Sequence, residues 1–384
     1  MNKNLFWLFC LCAFTHATQG FDSLPSASIF YYLKETLHYS PSTVQYIQAL
    51  IPLAWLIKPL FGFFIDSSKY SKKIWIFGSL IGCVLLNLIL GLSPIFPVFI
   101  LVGLMILINF MDAFRSTTVN SIMCSEGKHY GITGKLQSYQ WGALSLASVL
   151  VGVCGGYIAQ HWSYQIAYLI LLPIYVILLF ISWKFKESER VIQKFDWKNI
   201  IKKLLNDKNL LLVGLFIFLY NFSPDFSTPL KFIQRDSFHW SKLFIGQLET
   251  LSAIMGVLGA FLYYHFSKVI NFKKCLFISL FISASITLFY LHYTPLTAII
   301  YLIIGSFLGM IFSLMMLDFM ARNTQHGLEA TSFALLCSIN NITGTANSLT
   351  GAFLLPLIGL TGLIIISSFT TFMCIPLIKY LKNT

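Results

Sequence analysis

Four charged side chains stand inside apolar runs of this chain: Asp22, Lys58, Asp225 and Glu249. Lys58 is the sharpest case, because Trp55-Leu-Ile-Lys-Pro-Leu-Phe-Gly-Phe-Phe-Ile-Asp66 otherwise reads as a bilayer-spanning helix. A lysine at the centre of such a helix costs roughly 2.5 to 3.5 kcal/mol on insertion, so it normally faces a water-filled cavity and a partner. Lys58 therefore points to a pathway for a solute, although Asp22 and Lys58 could also simply neutralise each other. A carboxylate in this setting has two uses: it can hold a polar group of a ligand, or it can carry a proton. Asp22 suits the first, and Glu249 or Asp225 the second, provided that Glu249 faces a cavity rather than a neighbouring helix. Arg115 follows Asp112 by three residues and Arg322 follows Asp318 by four, spacings that let each pair meet on one helix face. Two such pairs at matching places read as a gate network. No phosphate-cradling loop, nucleophile triad or metal-ligand cluster is visible, so the sequence predicts no enzyme, no catalytic residue, no cofactor and no metal.

The elements that must hold these groups are membrane helices. Hydrophobic residues make up 57% of the 384 and charged residues 10%, where a soluble domain carries about 25% charge; mean hydropathy is +0.76. The net charge of +12 could suggest nucleic acid, but the basic residues cluster in short loops between apolar segments, as positive-inside topology requires. Nucleic acid is therefore not an expected partner, and the lipid bilayer is. Seven of the eight cysteines lie within apolar stretches without metal-ligand spacing and read as packing residues.

A span needs about 20 apolar residues, and twelve can be drawn, near 5–33, 44–65, 74–93, 97–118, 134–159, 163–184, 209–230, 243–266, 275–293, 296–318, 328–353 and 357–379. Pro94 with Pro97 and the Thr294-Pro295 step break the flow into tight turns, whereas Pro25, Pro52, Pro173 and Pro229 lie within spans as kinks. The start resembles a signal peptide, but the apolar run continues through Phe30 and Tyr32, which favours a retained first helix. Of the 26 basic residues, only Lys34, Lys231, Arg235 and Lys242 fall on the outer side and Lys58 within the membrane. Both termini are thus expected in the cytoplasm.

The halves repeat. Leu37-His-Tyr-Ser40 recurs as Phe238-His-Trp-Ser241, an offset of 201 residues that also takes Gln48 to Glu249; Asp22 ahead of Pro25 is matched by Asp225 ahead of Pro229. His38 and His239 precede outer helix ends at matching positions, where a histidine pair could tune proton entry. The polar stretch from Lys184 to Lys208 separates the sets, giving an N-terminal six-helix bundle (1–184), a cytoplasmic linker (185–208) and a C-terminal six-helix bundle (209–384). The fold class is an all-α polytopic membrane protein, twelve transmembrane helices in two pseudo-symmetric six-helix bundles, the major facilitator layout with its substrate site near mid-membrane.

Leu24-Pro-Ser-Ala-Ser-Ile-Phe-Tyr-Tyr-Leu33, Ser40-Pro41, the run from Trp55 to Asp66, Leu136-Gln-Ser138 with Gly155-Gly156, and Gly327-Leu-Glu329-Ala-Thr331 through Asn340 resemble the signatures of the folate-biopterin transporter family. The resemblance spans residues 17 to 380, and the stretches around Lys58 and Glu329 are its specific part. It implies symport of folates or unconjugated pterins with protons, with S-adenosylmethionine accepted by some members. Two departures put the substrate in question: Thr117 stands where a second acid is expected after Asp112, and the loop after Asp66 is short, with Lys72-Lys73 in place of arginines. Asp66 resembles part of the wider superfamily's loop signature and is assigned, with Asp112, Asp318, Arg322 and Glu329, to the gate.

Ligand chemistry can be set against the residues. A pterin offers an amino group and an adjacent ring N–H that suit one carboxylate, a flat face for stacking and, in folates, a tail with two carboxylates. Asp22 or Asp225 could take the ring, Lys58 and Arg115 the tail, and Trp55 and Tyr32, with Tyr31, Tyr139, Trp141 and Phe222, the stacking. The expectation is a monomeric, multi-pass importer in the cell membrane, the inner membrane in a Gram-negative cell. Alternatives are a permease for another small organic solute, such as S-adenosylmethionine, a nucleoside derivative or a small peptide, and a non-transporting membrane receptor or scaffold.

Overall fold

The computed structural model describes residues 3–93, 96–130, 132–187, 202, 206–266, 272–323 and 329–380. Pro94 and most of the linker expected at 185–208 lie outside these. Among the described residues the regular structure is helical: α1 (Lys3–Phe21), α2 (Leu24–Tyr31), α3 (Pro41–Leu50), α4 (Lys58–Ser67), α5 (Lys72–Leu92), α6 (Val98–Tyr130), α7 (Thr133–His161), α8 (Tyr164–Lys184), α9 (Lys208–Asn221), α10 (Ser227–Asp236), α11 (Lys242–Phe266), α12 (Phe272–Phe289), α13 (Pro295–Arg322) and α14 (Glu329–Met373). Eight described stretches are long and apolar enough to cross a membrane.

Several expected spans are broken, and the breaks have local causes. The first, 5–33, parts at Asp22 and Ser23, where Ser23 Oγ donates to the Gly20 carbonyl (2.6 Å) and Pro25 starts the next helix. The seventh, 209–230, ends at Asn221 and restarts at Ser227. A helix break leaves backbone groups without partners, and here Asn347 of α14 supplies them. Its Nδ2 donates to the Asn221 carbonyl (2.9 Å), its Oδ1 accepts from Ser223 N–H (3.0 Å), and its own carbonyl accepts from Asp225 N–H (3.0 Å). The second span holds a 3₁₀ stretch, Ile51–Ile57, containing Pro52, ahead of α4, with Pro59 in α4's first turn. Pro173, by contrast, sits inside an unbroken α8. The spans expected at 328–353 and 357–379 meet at Gly359, whose φ of 67° an L side chain rarely adopts. At α13 the expected turn is built as a capping box, Thr294 and Thr297 serving each other's backbone N–H, with Pro295 at the first helical position.

The 201-residue repeat is present in the backbone. Leu37 N–H reaches the Tyr32 carbonyl (3.1 Å) as Phe238 N–H reaches that of Ile233 (3.0 Å), and His38 and His239 then both adopt φ of 54°. Ser40 Oγ accepts from Thr43 N–H (3.3 Å) and Ser241 Oγ from Phe244 N–H (3.0 Å) as the next helices begin.

The chain forms two compact units, one of Met1–His38, Ile51–Phe195 and Ser241–Thr250, the other of Tyr39–Leu50, Asp196–Trp240 and Leu251–Thr384. In the first, Leu8, Leu11, Leu80, Val119, Leu171 and Leu178 form part of a buried core. The opening turns of α11 belong to it, because Gly246 meets Gly152 and Gly156 of α7 backbone to backbone, closer than any Cβ would permit. In the second, Leu210, Phe216, Leu276, Phe319 and Leu336 are among the core residues. Side chains such as Phe99 (76% exposed) and Leu296 (69%) point away from both cores; in a membrane protein such faces meet lipid.

Candidate functional site

The first unit encloses a cluster of charge. Helix α1 carries Thr15, His16 and Thr18, all buried, at a spacing that gathers polar groups on one side of an apolar helix. Its end at the break delivers Asp22. Helix α6 brings Asp112 and Arg115, α5 brings Cys83, and α8 brings Tyr175. The Arg115 side chain is fully buried. Its Nη1 lies 2.9 Å from Asp112 Oδ1 and its Nη2 3.5 Å from Asp22 Oδ2, while Nη2 also donates to Thr18 Oγ1 (3.0 Å). The guanidinium stands 5.5 Å from the Tyr175 ring centre, and the Tyr175 hydroxyl donates to Asp22 Oδ1 (2.5 Å). Cys83 Sγ–H completes the ring by donating to Asp112 Oδ1 (3.2 Å).

One residue along α6 from Arg115, Ser116 Oγ accepts a hydrogen bond from Lys58 Nζ (3.4 Å). The ammonium also lies 4.3 Å from the centre of the Trp55 ring, whose Nε1–H donates to Asn109 Oδ1 (3.1 Å). Trp55 lies in the 3₁₀ stretch and Lys58 opens α4, so the change of helix type places them side by side. This cation and its indole form a half-buried cation–π pair.

Of the sequence-predicted residues, Asp22, Arg115 and Asp112 come together, and Lys58 and Trp55 form the neighbouring pair. The cation on Asp22 is Arg115. The expected span 97–118 puts Asp112 and Arg115 near a helix end; because α6 continues to Tyr130 they lie in its middle. Tyr32 packs on Tyr164 (5.0 Å between ring centres). Tyr31 is buried, Tyr139 packs on Phe9 (4.9 Å), Trp141 is exposed, and Phe222 stacks on Phe218 (5.6 Å). Glu249 is half-buried on α11, next to Thr250, whose hydroxyl donates to the Val149 carbonyl (2.8 Å).

In the second unit Asp225 occupies the break. Its carboxylate accepts from Ser227 N–H (2.9 Å) and from Ser227 Oγ–H (3.0 Å), and Gln45 Nε2 donates to its carbonyl (2.8 Å). These bonds hold the turn just ahead of α10, whose N-cap is Phe226. Asp318 accepts from the Tyr263 hydroxyl (3.3 Å); the side chains of Asp66, Arg322 and Glu329 lie outside the described residues. Sequence reasoning passed over Cys83, Tyr175 and Thr18, and the overlooked signal was the polar spacing Thr15-His16-x-Thr18-Gln19 within an apolar span.

The model of the Major Facilitator Superfamily matches residues 8–344. The chain belongs to that superfamily. Among curated relatives it is 23% identical to the folate-biopterin transporter of Synechocystis sp. (strain ATCC 27184 / PCC 6803 / Kazusa), across 94% of this chain and 79% of the relative. It is 24% identical to folate transporter 1 of Plasmodium falciparum (isolate 3D7), across 86% and 69%. The chain is thus similar to folate-biopterin transporters and, as a member of the superfamily, is a multi-pass membrane transporter of a small molecule and not an enzyme. Its fold is that of the D-xylose-proton symporter (TM-score 0.80, 13% identity, 99% of this chain and 98% of that one) and of the nucleoside transporter NupG (0.71, 14%, 99% of each).

Proposed function

We propose that this transporter imports a folate or an unconjugated pterin across the cell membrane by alternating access, driven by protons, as a monomer with both termini in the cytoplasm. The observation that carries this reading is the Lys58–Trp55 pair. A folate is a flat heterocycle with an anionic tail; the indole suits the first and the ammonium the second. The names of the relatives support the same substrate class. S-adenosylmethionine carries a sulfonium, which a neighbouring ammonium repels, so the pair favours the folate over it.

The test is uptake of labelled folic acid by cells expressing the full chain. Lys58→Met is expected to abolish uptake while membrane expression stays near wild type. Transport at the wild-type rate by Lys58→Met, or wild-type protein that takes up neither folic acid nor biopterin, would sink the proposal. A thermal shift of the purified protein with folic acid, larger than with S-adenosylmethionine, is the companion result, since a ligand that binds only the folded state stabilises it.

A further inference from the structure

Arg115 is a single buried cation facing two carboxylates, the buried Asp112 at 2.9 Å and the half-buried Asp22 (15% exposed) at 3.5 Å. With both acids ionised the cluster carries one uncompensated negative charge in an apolar interior, an arrangement that low-polarity surroundings strongly disfavour. The hydrogen bonding shows where the excess lies. Asp22 Oδ1 is served by Tyr175 and Asp112 Oδ1 by Cys83 and Arg115. Asp22 Oδ2 is buried without a hydrogen-bond donor, its nearest cation being Arg115 at the long distance of 3.5 Å. The Asp112 and Asp22 carboxylates close on the two adjacent terminal nitrogens of one guanidinium, Nη1 and Nη2. Two acceptors facing each other repel; one hydrogen between them makes an O–H···O bond, satisfies the orphaned oxygen and brings the cluster to neutrality.

We infer that Asp22 and Asp112 share one exchangeable proton beside Arg115, and that this pair is the site at which protons couple to transport. The coupling part rests on the proton-driven import proposed above. The remaining surroundings agree. Cys83 from α5, Tyr175 from α8 and Thr18 from α1 face the pair with neutral groups, and α7 presents Leu144, Ala147 and Gly155 around the break. Beyond them, His16 lies within electrostatic reach of both Arg115 and Lys58. Asp225 belongs to the second unit, where its carboxylate accepts from Ser227. Coupling also requires proton and substrate to sense each other. Arg115 and Ser116 are consecutive on α6, so the carboxylate pair and the Lys58 ammonium are linked through one helical step.

The decisive experiment needs no knowledge of the substrate. Purified full-length protein at neutral pH is expected to show the infrared carbonyl stretch of a buried protonated carboxyl, shifted by deuterium, and both Asp22→Asn and Asp112→Asn should lack it because the remaining acid pairs ionised with Arg115. Absence of the band from wild type, or its survival in both variants, would overturn the shared proton. If a variant does not fold, wild type decides by the presence of the band, and Tyr175→Phe, which removes the donor to Asp22, should move its frequency. In proteoliposomes with labelled folic acid, an imposed pH gradient should drive accumulation by wild type, and the ratio of gradient-driven to exchange flux should collapse in both variants. Wild type that exchanges but ignores the gradient refutes proton coupling and leaves the shared proton standing on the infrared result. A gradient response equal to wild type in either variant refutes this pair as the coupling site and leaves proton coupling intact.

Discussion

Arg115 shows how much one side chain can be asked to do. It is fully buried, bonds Thr18 and pairs with two acids from different helices, so its removal strands charge rather than merely losing a contact. Breaking a buried pair in this way costs about 3 to 5 kcal/mol. Arg115→Met should therefore lower the unfolding temperature of the detergent-solubilised protein sharply, and adding Asp112→Asn should recover part of the loss by deleting one stranded carboxylate. A double variant no more stable than Arg115→Met alone would rule out this electrostatic account. The sequence made Asp22, Asp112 and Arg115 visible because charge inside apolar runs is conspicuous. It did not make their meeting visible, because a local i to i+3 pair already explains Arg115. Tyr175 and Cys83 stayed hidden for a related reason: each is an ordinary residue in an apolar helix until a neighbour's carboxylate gives its hydrogen somewhere to go.

The broken spans belong to the scale of the element. Apolar run length draws twelve spans, since length and hydropathy are additive along the chain, and eight described stretches are long and apolar enough to cross a membrane; it also draws residues 5–33 and 209–230 as continuous. What sustains the second break is Asn347, over a hundred residues away, making three hydrogen bonds to the frayed ends of α9 and α10. No window of sequence around 221–227 contains that information. Its two side-chain bonds serve otherwise unsatisfied backbone groups, and leaving such groups bare costs about 1 to 3 kcal/mol each. Asn347→Ala should destabilise the protein by about 2 kcal/mol or more in thermal unfolding, whereas Asn221→Ala, which keeps the bridged carbonyl, should cost less. Equal losses would show that the bridge is not what holds the break. Asp225 reads differently in this light: its carboxylate holds the turn just ahead of α10, so a proline three or four residues after an acid marks a helix restart as readily as a ligand site.

At the scale of the whole molecule, the distribution of lysine and arginine sets an orientation that the fold alone leaves open. Lys69 sits between α4 and α5, and Lys72 and Lys73 open α5; the positive-inside rule predicts that this turn is cytoplasmic. An epitope inserted at Lys69 should be reached by antibody only after the membrane is permeabilised; labelling of intact cells would invert the topology. The twofold design was legible from the 201-residue offset of Leu37-His-Tyr-Ser40 and Phe238-His-Trp-Ser241, and the backbone carries it further than the letters do. His38 and His239 share a left-handed conformation that costs an L-residue about 1 to 2 kcal/mol. Nothing obliges two unrelated turns to bear the same strain at the same register. A gene that copied itself end to end would leave this mark: Leu37 is matched by Phe238, Tyr39 by Trp240 and Gln48 by Glu249, while the awkward turn is the same in both halves. The two strained histidines are what duplication of one half would leave behind.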